Sequence, residues 1–302
     1  RILSMIRSFL GSEFAVYYLG IGLFIFLLSF YIAFSPYGSI VLGSPEEKPK
    51  YSFFSWGSMM FTAGLAADIL FYSLCEWILY VREPYVQSLG NKEEWATVYT
   101  LFHWGPIPWG FYLVLAVAFG FMLHVRKRSK QRYSEACRPI LKGQTDGLLG
   151  RGIDLLAVFA LLAGTATTFS VATPLMAEIL KKVLPGVSTV SLTIAILLIT
   201  CAVYTYSLLK GMAGISFLAK TCTWLFYSLL FYIFFFGGAG NFILKHGFSA
   251  FGKMVEHFPT MATYTDPLGE NHFPENWTIF YWAYWMVWCV ASPFFIGSIS
   301  RG

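Results

Sequence analysis

Seven stretches of this chain, near residues 13–35, 53–82, 95–125, 152–182, 186–209, 212–244 and 277–299, are apolar over lengths that match a lipid bilayer. A helix needs roughly 20 apolar residues to cross the hydrocarbon core. It also satisfies its own backbone hydrogen bonds there, which an open strand cannot do. The short alternation of a membrane barrel is absent, so the expected class is an all-α membrane protein. Composition agrees, because only 12% of residues are charged against about 25% in a soluble domain. The first block, Glu13 to Ser35, is too long for a signal-peptide core and no small-residue cleavage pattern follows it.

Charge orients the spans. Between the third and fourth blocks lie Arg126, Lys127, Arg128, Lys130, Arg132, Arg138, Lys142 and Arg151. Cytoplasmic loops carry the excess of Lys and Arg, so this loop is expected inside, together with Pro45–Lys50 and the Lys210 turn. Arg82–Glu94 and Lys245–Asn276 then fall outside, and FSAFGKMVEHF in the latter has the spacing of a helix lying along the membrane surface. The net charge of +5 follows from that asymmetry. A nucleic-acid partner does not, since the basic loop sits between two spans and has no interleaved aromatics. Cys75, Cys137, Cys201, Cys222 and Cys289 are far apart, without a CxxC pair, and fit packing better than a metal or disulfide framework. No metal or other cofactor is expected.

Three segments carry chemistry. In LFHWGPIPWGFY (101–112), Gly105, Pro106 and Pro108 must interrupt a helix, as each proline lacks a donor. Broken helices at membrane depth line cavities, and transporters bind substrates at them. Trp104, Trp109 and Tyr112 flank the break, and Trp109 lies too near mid-block for the interfacial aromatic belt. In WTIFYWAYWMVW (277–288), Trp282, Tyr284, Trp285 and Trp288 crowd one helix, with Trp285/Trp288 and Tyr284/Trp288 at same-face spacing. Trp277 and Phe280 read as belt and packing. Two such clusters on different helices can form a cage for a quaternary ammonium, which donates no N–H bond and is bound by aromatic faces at about 0.5–2 kcal/mol each. In FTAGLAADILFYSLCEW (61–77), Asp68 and Glu76 are carboxylates within an apolar span, where an acid costs about 2.5–3.5 kcal/mol and is a functional candidate by default. Asp68, after the small-residue run 63–67, reads as proton-titrating or cation-facing, with a buried structural partner as the alternative. Glu76 reads as a structural polar group, as does His103 inside the broken helix.

Those segments resemble the betaine/carnitine/choline transporter family, as do WGSMMFTAG, FYSLCEW, GRGIDLLAVFALLAGTATTFSVATPL, LLKGMAGIS and the closing ISRG, in order and spacing along nearly the whole chain. FHWGPIPW, ATPL (172–175) and YTDP (264–267) are most similar to its carnitine/γ-butyrobetaine antiporter branch. The resemblance implies a LeuT-type inverted-repeat fold of twelve helices, of which this chain would be a fragment holding about seven. Residues 1–302 would form one transporter domain, 53–244 the first five-helix repeat and 277–302 the first helix of the second.

The same resemblance implies secondary active transport of carnitine, γ-butyrobetaine, glycine betaine or choline. Trp104, Trp109, Tyr112, Trp285 and Trp288 match the family's aromatic box, with Tyr284 replacing a tryptophan common in relatives. Leu79, with Tyr80 beside it, stands where the carnitine branch has a further aromatic. For ion coupling, Gly64 begins the stretch that is glycine-rich in sodium-coupled relatives, here interrupted by Ala66 and Asp68. Asp68 matches the acid of proton-coupled choline transporters. Ala219 stands where antiporters carry a fixed arginine, and Lys220 beside it can supply a resident cation or, as the alternative, snorkel or pair with a carboxylate. A homotrimer in the inner cell membrane, multi-pass, is the family's expectation.

Rival classes are a proton-coupled choline or betaine symporter, and a non-transporting osmosensor or channel. Channels favour rings of carbonyls or charges, whereas this chain offers tryptophans. An enzyme is not expected: His103, His124, His246, His257 and His272 are scattered, with no HExxH.

Overall fold

The computed structural model describes residues 2–64 and 66–302, with the backbone alone for residues 2–4, 7, 66–71, 73, 74, 171 and 291. In chain order the helices are α1 (Ile2–Glu13), α2 (Ala15–Phe34), α3 (Phe53–Gly64), α4 (Ala66–Arg82), α5 (Pro84–Ser88), α6 (Lys92–His103) and α7 (Pro106–Gly120). A π turn, Phe121–Val125, prolongs α7. Then follow α8 (Tyr133–Ala136), α9 (Arg138–Leu141), α10 (Leu148–Lys181), α11 (Thr189–Leu209), α12 (Gly211–Phe236), α13 (Gly240–Thr263) and α14 (Ile279–Ile299). There is no strand among the described residues. The protein is an all-helical membrane protein.

Among the described residues, five helical runs are long and apolar enough to span: α2, the stretch Lys92–Val125, α10, α11 and α12. A sixth is α14 with its preceding π turn, Pro274–Val290 and Ser292–Ile299, bent by 48°. The remaining expected block, 53–82, consists of α3 and α4, of 12 and 17 residues. They lie on either side of Leu65, which is outside the described residues. Elsewhere the boundaries move for local reasons. The sixth block ends at Phe236, because Gly237 and Gly238 turn the chain, Gly238 with φ +73°. The surface segment expected in 245–276 starts earlier, as the 24-residue α13, whose Ala250, Met254, Met261 and Ala262 are buried.

Local chemistry sets the ends. Asn91 Oδ1 accepts the Glu94 amide at 3.3 Å and caps α6, with Glu93 and Glu94 placed favourably on its first turn. Ser188 caps α11 through the Ser191 amide at 3.1 Å. Between α6 and α7, Gly105 adopts φ −97°, ψ −139° and Pro106 opens the new helix. The N1 position suits a proline, since its missing donor would have no partner there.

Because lipid is as apolar as leucine, helices associate in a membrane through close packing and hydrogen bonds. The core accordingly sits where α2, α4, α6, α7, α13 and α14 meet, built on Tyr80, Tyr99, Phe102, Ile107, Tyr281 and Trp282. The tightest approach is α7 on α14. A Cβ on Gly297 would come within 2.7 Å of Ala116 O and of Gly120 N, so only glycine fits. By contrast, α10, α11 and α12 point large apolar side chains outward, including Leu156, Leu198 and Phe217.

Candidate functional site

The break at Gly105 turns the last residue of α6 and the first turns of α7 toward α14, and the aromatic segments of both meet there. Trp104 and Trp285 stand edge to face at 5.3 Å and 82°, and Tyr112 meets Trp285 at 5.4 Å and 77°. Three rings thus form a corner with nearly perpendicular walls. Trp109 joins it through Tyr112, at 6.0 Å. Edge-to-face pairs are the favoured arrangement of ring quadrupoles, and such a corner presents more than one π face to a cation.

Glu76 brings a carboxyl group to this corner. It is buried on α4, 1% exposed, and its Oε2 accepts the Trp104 indole N–H at 2.6 Å. Tyr72, one turn earlier, lies 5.5 Å from the Trp104 ring, and Tyr281 lies 5.9 Å from both Trp104 and Tyr72. Gly64 closes the side toward α3: a Cβ there would meet Tyr112 at 3.7 Å and Trp109 at 3.9 Å. Both distances are ordinary van der Waals contact, so Gly64 lines the corner without a steric demand for glycine.

His103 braces the assembly. Its ring is wholly buried, hydrogen-bonded through Nδ1 to the Tyr80 hydroxyl and through Nε2 to Thr278 Oγ1 at 2.9 Å. Its carbonyl accepts the Trp285 indole N–H at 3.2 Å. A neutral imidazole offers one donor and one acceptor, and each hydroxyl can supply the complement. His103 thus ties α4, α6 and α14 together and fixes the direction of Trp285.

Other expected residues lie at the margin of the corner or beyond it. Tyr284 pairs with Trp285 at 6.2 Å and with Phe280 at 6.3 Å, and is half-buried. Trp288 faces α10, where a Cβ on Gly164 would lie 3.5 Å from its ring, and it joins no ring pair of the corner among the described residues. Lys220 is half-buried on α12, with no ion pair among the described residues. The side chain of Asp68 lies outside the described residues.

Near the expected ion-coupling region, Ser292 Oγ donates to Ala63 O at 2.6 Å, which links α14 at its bend to the end of α3. A cavity of about 600 Å³ lined by Phe26, Met60, Trp109, Tyr112, Leu113 and Ile296, among others, touches the corner only through Trp109 and Tyr112. It contains no charged side chain. Ring geometry and Glu76, rather than this cavity, therefore define the candidate site.

A family model described as betaine/carnitine/choline family transporter matches residues 1–302. The chain belongs to this family. It is a multi-pass membrane protein of a family that transports betaine-, carnitine- and choline-type compounds. In this family member, Trp104, Trp109, Tyr112 and Trp285 converge; Glu76 pairs with the neighbouring helix through Trp104, as its reading as a structural polar group expects, and Tyr72 and Tyr281, which sequence reading did not single out, lie beside it. Helical spacing carried the signal for both: Tyr72 precedes Glu76 by four residues, and Tyr281 precedes Trp285 by four.

Proposed function

We infer that this transporter binds a quaternary-ammonium substrate in the corner formed by Trp104, Trp109, Tyr112 and Trp285, with Tyr284 and Trp288 entering the box as the substrate settles. The observation that carries this reading is the buried Glu76 carboxylate hydrogen-bonded to the Trp104 indole within a cluster of edge-to-face rings. Such a carboxylate draws indole electron density toward the π face and adds attraction for a fixed cation. Aromatic faces supply the remaining recognition, since a trimethylammonium group offers no N–H donor. Carnitine, γ-butyrobetaine, glycine betaine and choline are the candidates, with the carnitine branch first because of FHWGPIPW, ATPL and YTDP.

Transport is secondary active in this reading, with residues 53–244 as one repeat and 277–302 opening the next. Asp68, Gly64 and Lys220 are assigned to ion coupling, and Asp68 makes transport proton-linked. The bond between Ser292 and Ala63 supports a coupling site between α3 and α14, because it joins a bent helix to the segment that carries Asp68. Binding of the four labelled compounds to the full-length protein, scanned over sodium and pH, tests the whole reading. Saturable binding of at least one is expected, and binding of none would overturn it. Unchanged proton dependence in Asp68→Gly would overturn the coupling assignment alone.

A further inference from the structure

The basic loop between α7 and α10 divides its charges into two sets. One set folds the loop. Asp146 is bonded by Lys130 at 3.0 Å, by Arg132, and by Arg138 at 3.1 Å. Glu135 receives two bonds from Arg138, at 2.6 and 2.7 Å, with Arg128 at 3.7 Å. Ser134 donates through its amide and its hydroxyl to Asp154 on α10, each at 2.8 Å. The resulting network anchors α8 and α9 against the start of α10.

The second set is Arg126, Lys127, Lys142 and Arg151. All four are exposed and none has an acidic partner among the described residues. Lys127 lies in the turn after α7 with φ +51°, and Lys142 opens a short 3-10 turn, Lys142–Asp146, with φ +50°. Beside them, Ile140 and Leu148 are 84% and 86% exposed. Their position matters, since this loop directly joins the membrane ends of two spans. Cations without acidic partners, apolar side chains without cover and a location at the bilayer edge are the three features of a surface that docks on lipid.

We propose that the loop 126–151 is a preformed platform for anionic phospholipid headgroups, with Arg126, Lys127, Lys142 and Arg151 facing lipid phosphates and Ile140 and Leu148 entering the interface. The internal network gives the platform its shape, and the outer set gives it its partner. A folded platform loses less conformational freedom on binding than a flexible basic tail would.

The test uses purified full-length protein titrated with phosphatidylglycerol or phosphatidylcholine and read by native mass spectrometry. Wild type should retain phosphatidylglycerol preferentially. The Arg126→Gln/Lys127→Gln/Lys142→Gln/Arg151→Gln variant should lose that preference by about tenfold or more, given several-fold per basic residue near an anionic surface. Ile140→Ser/Leu148→Ser should weaken retention of the same lipid, while inorganic phosphate should not compete. Undiminished preference in the fourfold variant or undiminished retention in Ile140→Ser/Leu148→Ser overturns the proposal, and so does competition by phosphate, which would mark a site for a free anion. If the fourfold variant fails to fold, Lys127→Glu and Lys142→Glu singly take its place, and each should lower the preference.

Discussion

Replacing His103 by leucine removes both ring hydrogen bonds and little volume. Tyr80 and Thr278 would then each hold a hydroxyl in a dry interior. In soluble proteins an orphaned buried group costs about 1–3 kcal/mol, which would give roughly 2–6 kcal/mol for the pair. Interhelical hydrogen bonds in membranes average only about 0.6 kcal/mol and reach about 1.7, because the membrane-embedded reference state also finds partners. The smaller scale governs here, and the expected loss is about 1–3 kcal/mol. Unfolding of the full-length protein in mixed micelles, followed by tryptophan emission, reads it directly. The same variant should weaken substrate binding, as Trp285 is held by the carbonyl of this residue. His103→Gln, whose amide both donates and accepts, should recover part of each loss. A His103→Leu protein as stable as wild type within about 0.5 kcal/mol would refute the bracing role, since that is below the average for one such bond.

Glu76→Gln keeps an acceptor for Trp104 but removes the charge, so choline, a net cation, should lose about tenfold more affinity than zwitterionic glycine betaine. That follows from roughly 1–3 kcal/mol for a charge pair about 6 Å apart at an effective dielectric of 20 or more. Equal losses for both in a binding titration would reduce Glu76 to a positioning group. Gly297→Val forces side-chain atoms into the backbone of α7 and should cost about 1–3 kcal/mol or block folding; a normal melting temperature would contradict the close packing. In the loop, bonds from Lys130, Arg132 and Arg138 hold Asp146 well below the usual carboxylate range, and Arg138 lowers Glu135. A depressed folded value contributes stability above the unfolded one, near about 4, and loses it as pH falls through the folded value. Amide exchange at residues 134–137 should therefore stay slow down to about pH 4, and loss of protection well above that would refute the network.

Most of the architecture was legible because lipid imposes length. A run of 20 apolar residues has few alternatives to a helix, and the broken element announced itself through Gly105, Pro106 and Pro108. The limits of α12 were less legible, as Gly237 and Gly238 sit inside an unbroken apolar run and nothing local says that the chain turns there. The site was half visible. Trp104, Trp109, Tyr112 and Trp285 stood out as tryptophan and tyrosine in a proline-broken or tryptophan-rich context. Tyr72 and Tyr281 did not, being two of 18 tyrosines with no feature of their own except spacing. The partner of Glu76 was hidden for a different reason. Trp104 is 28 residues away, and that proximity exists only once α4 has packed against α6.

The aromatic corner is tested most directly by equilibrium binding of the tightest of the four quaternary amines to full-length wild type, Trp109→Ala and Trp285→Ala. Each cation–π contact contributes about 0.5–2 kcal/mol when desolvated, so each variant should bind about 2- to 30-fold more weakly while remaining folded. Wild-type affinity in both would show that the substrate is held elsewhere.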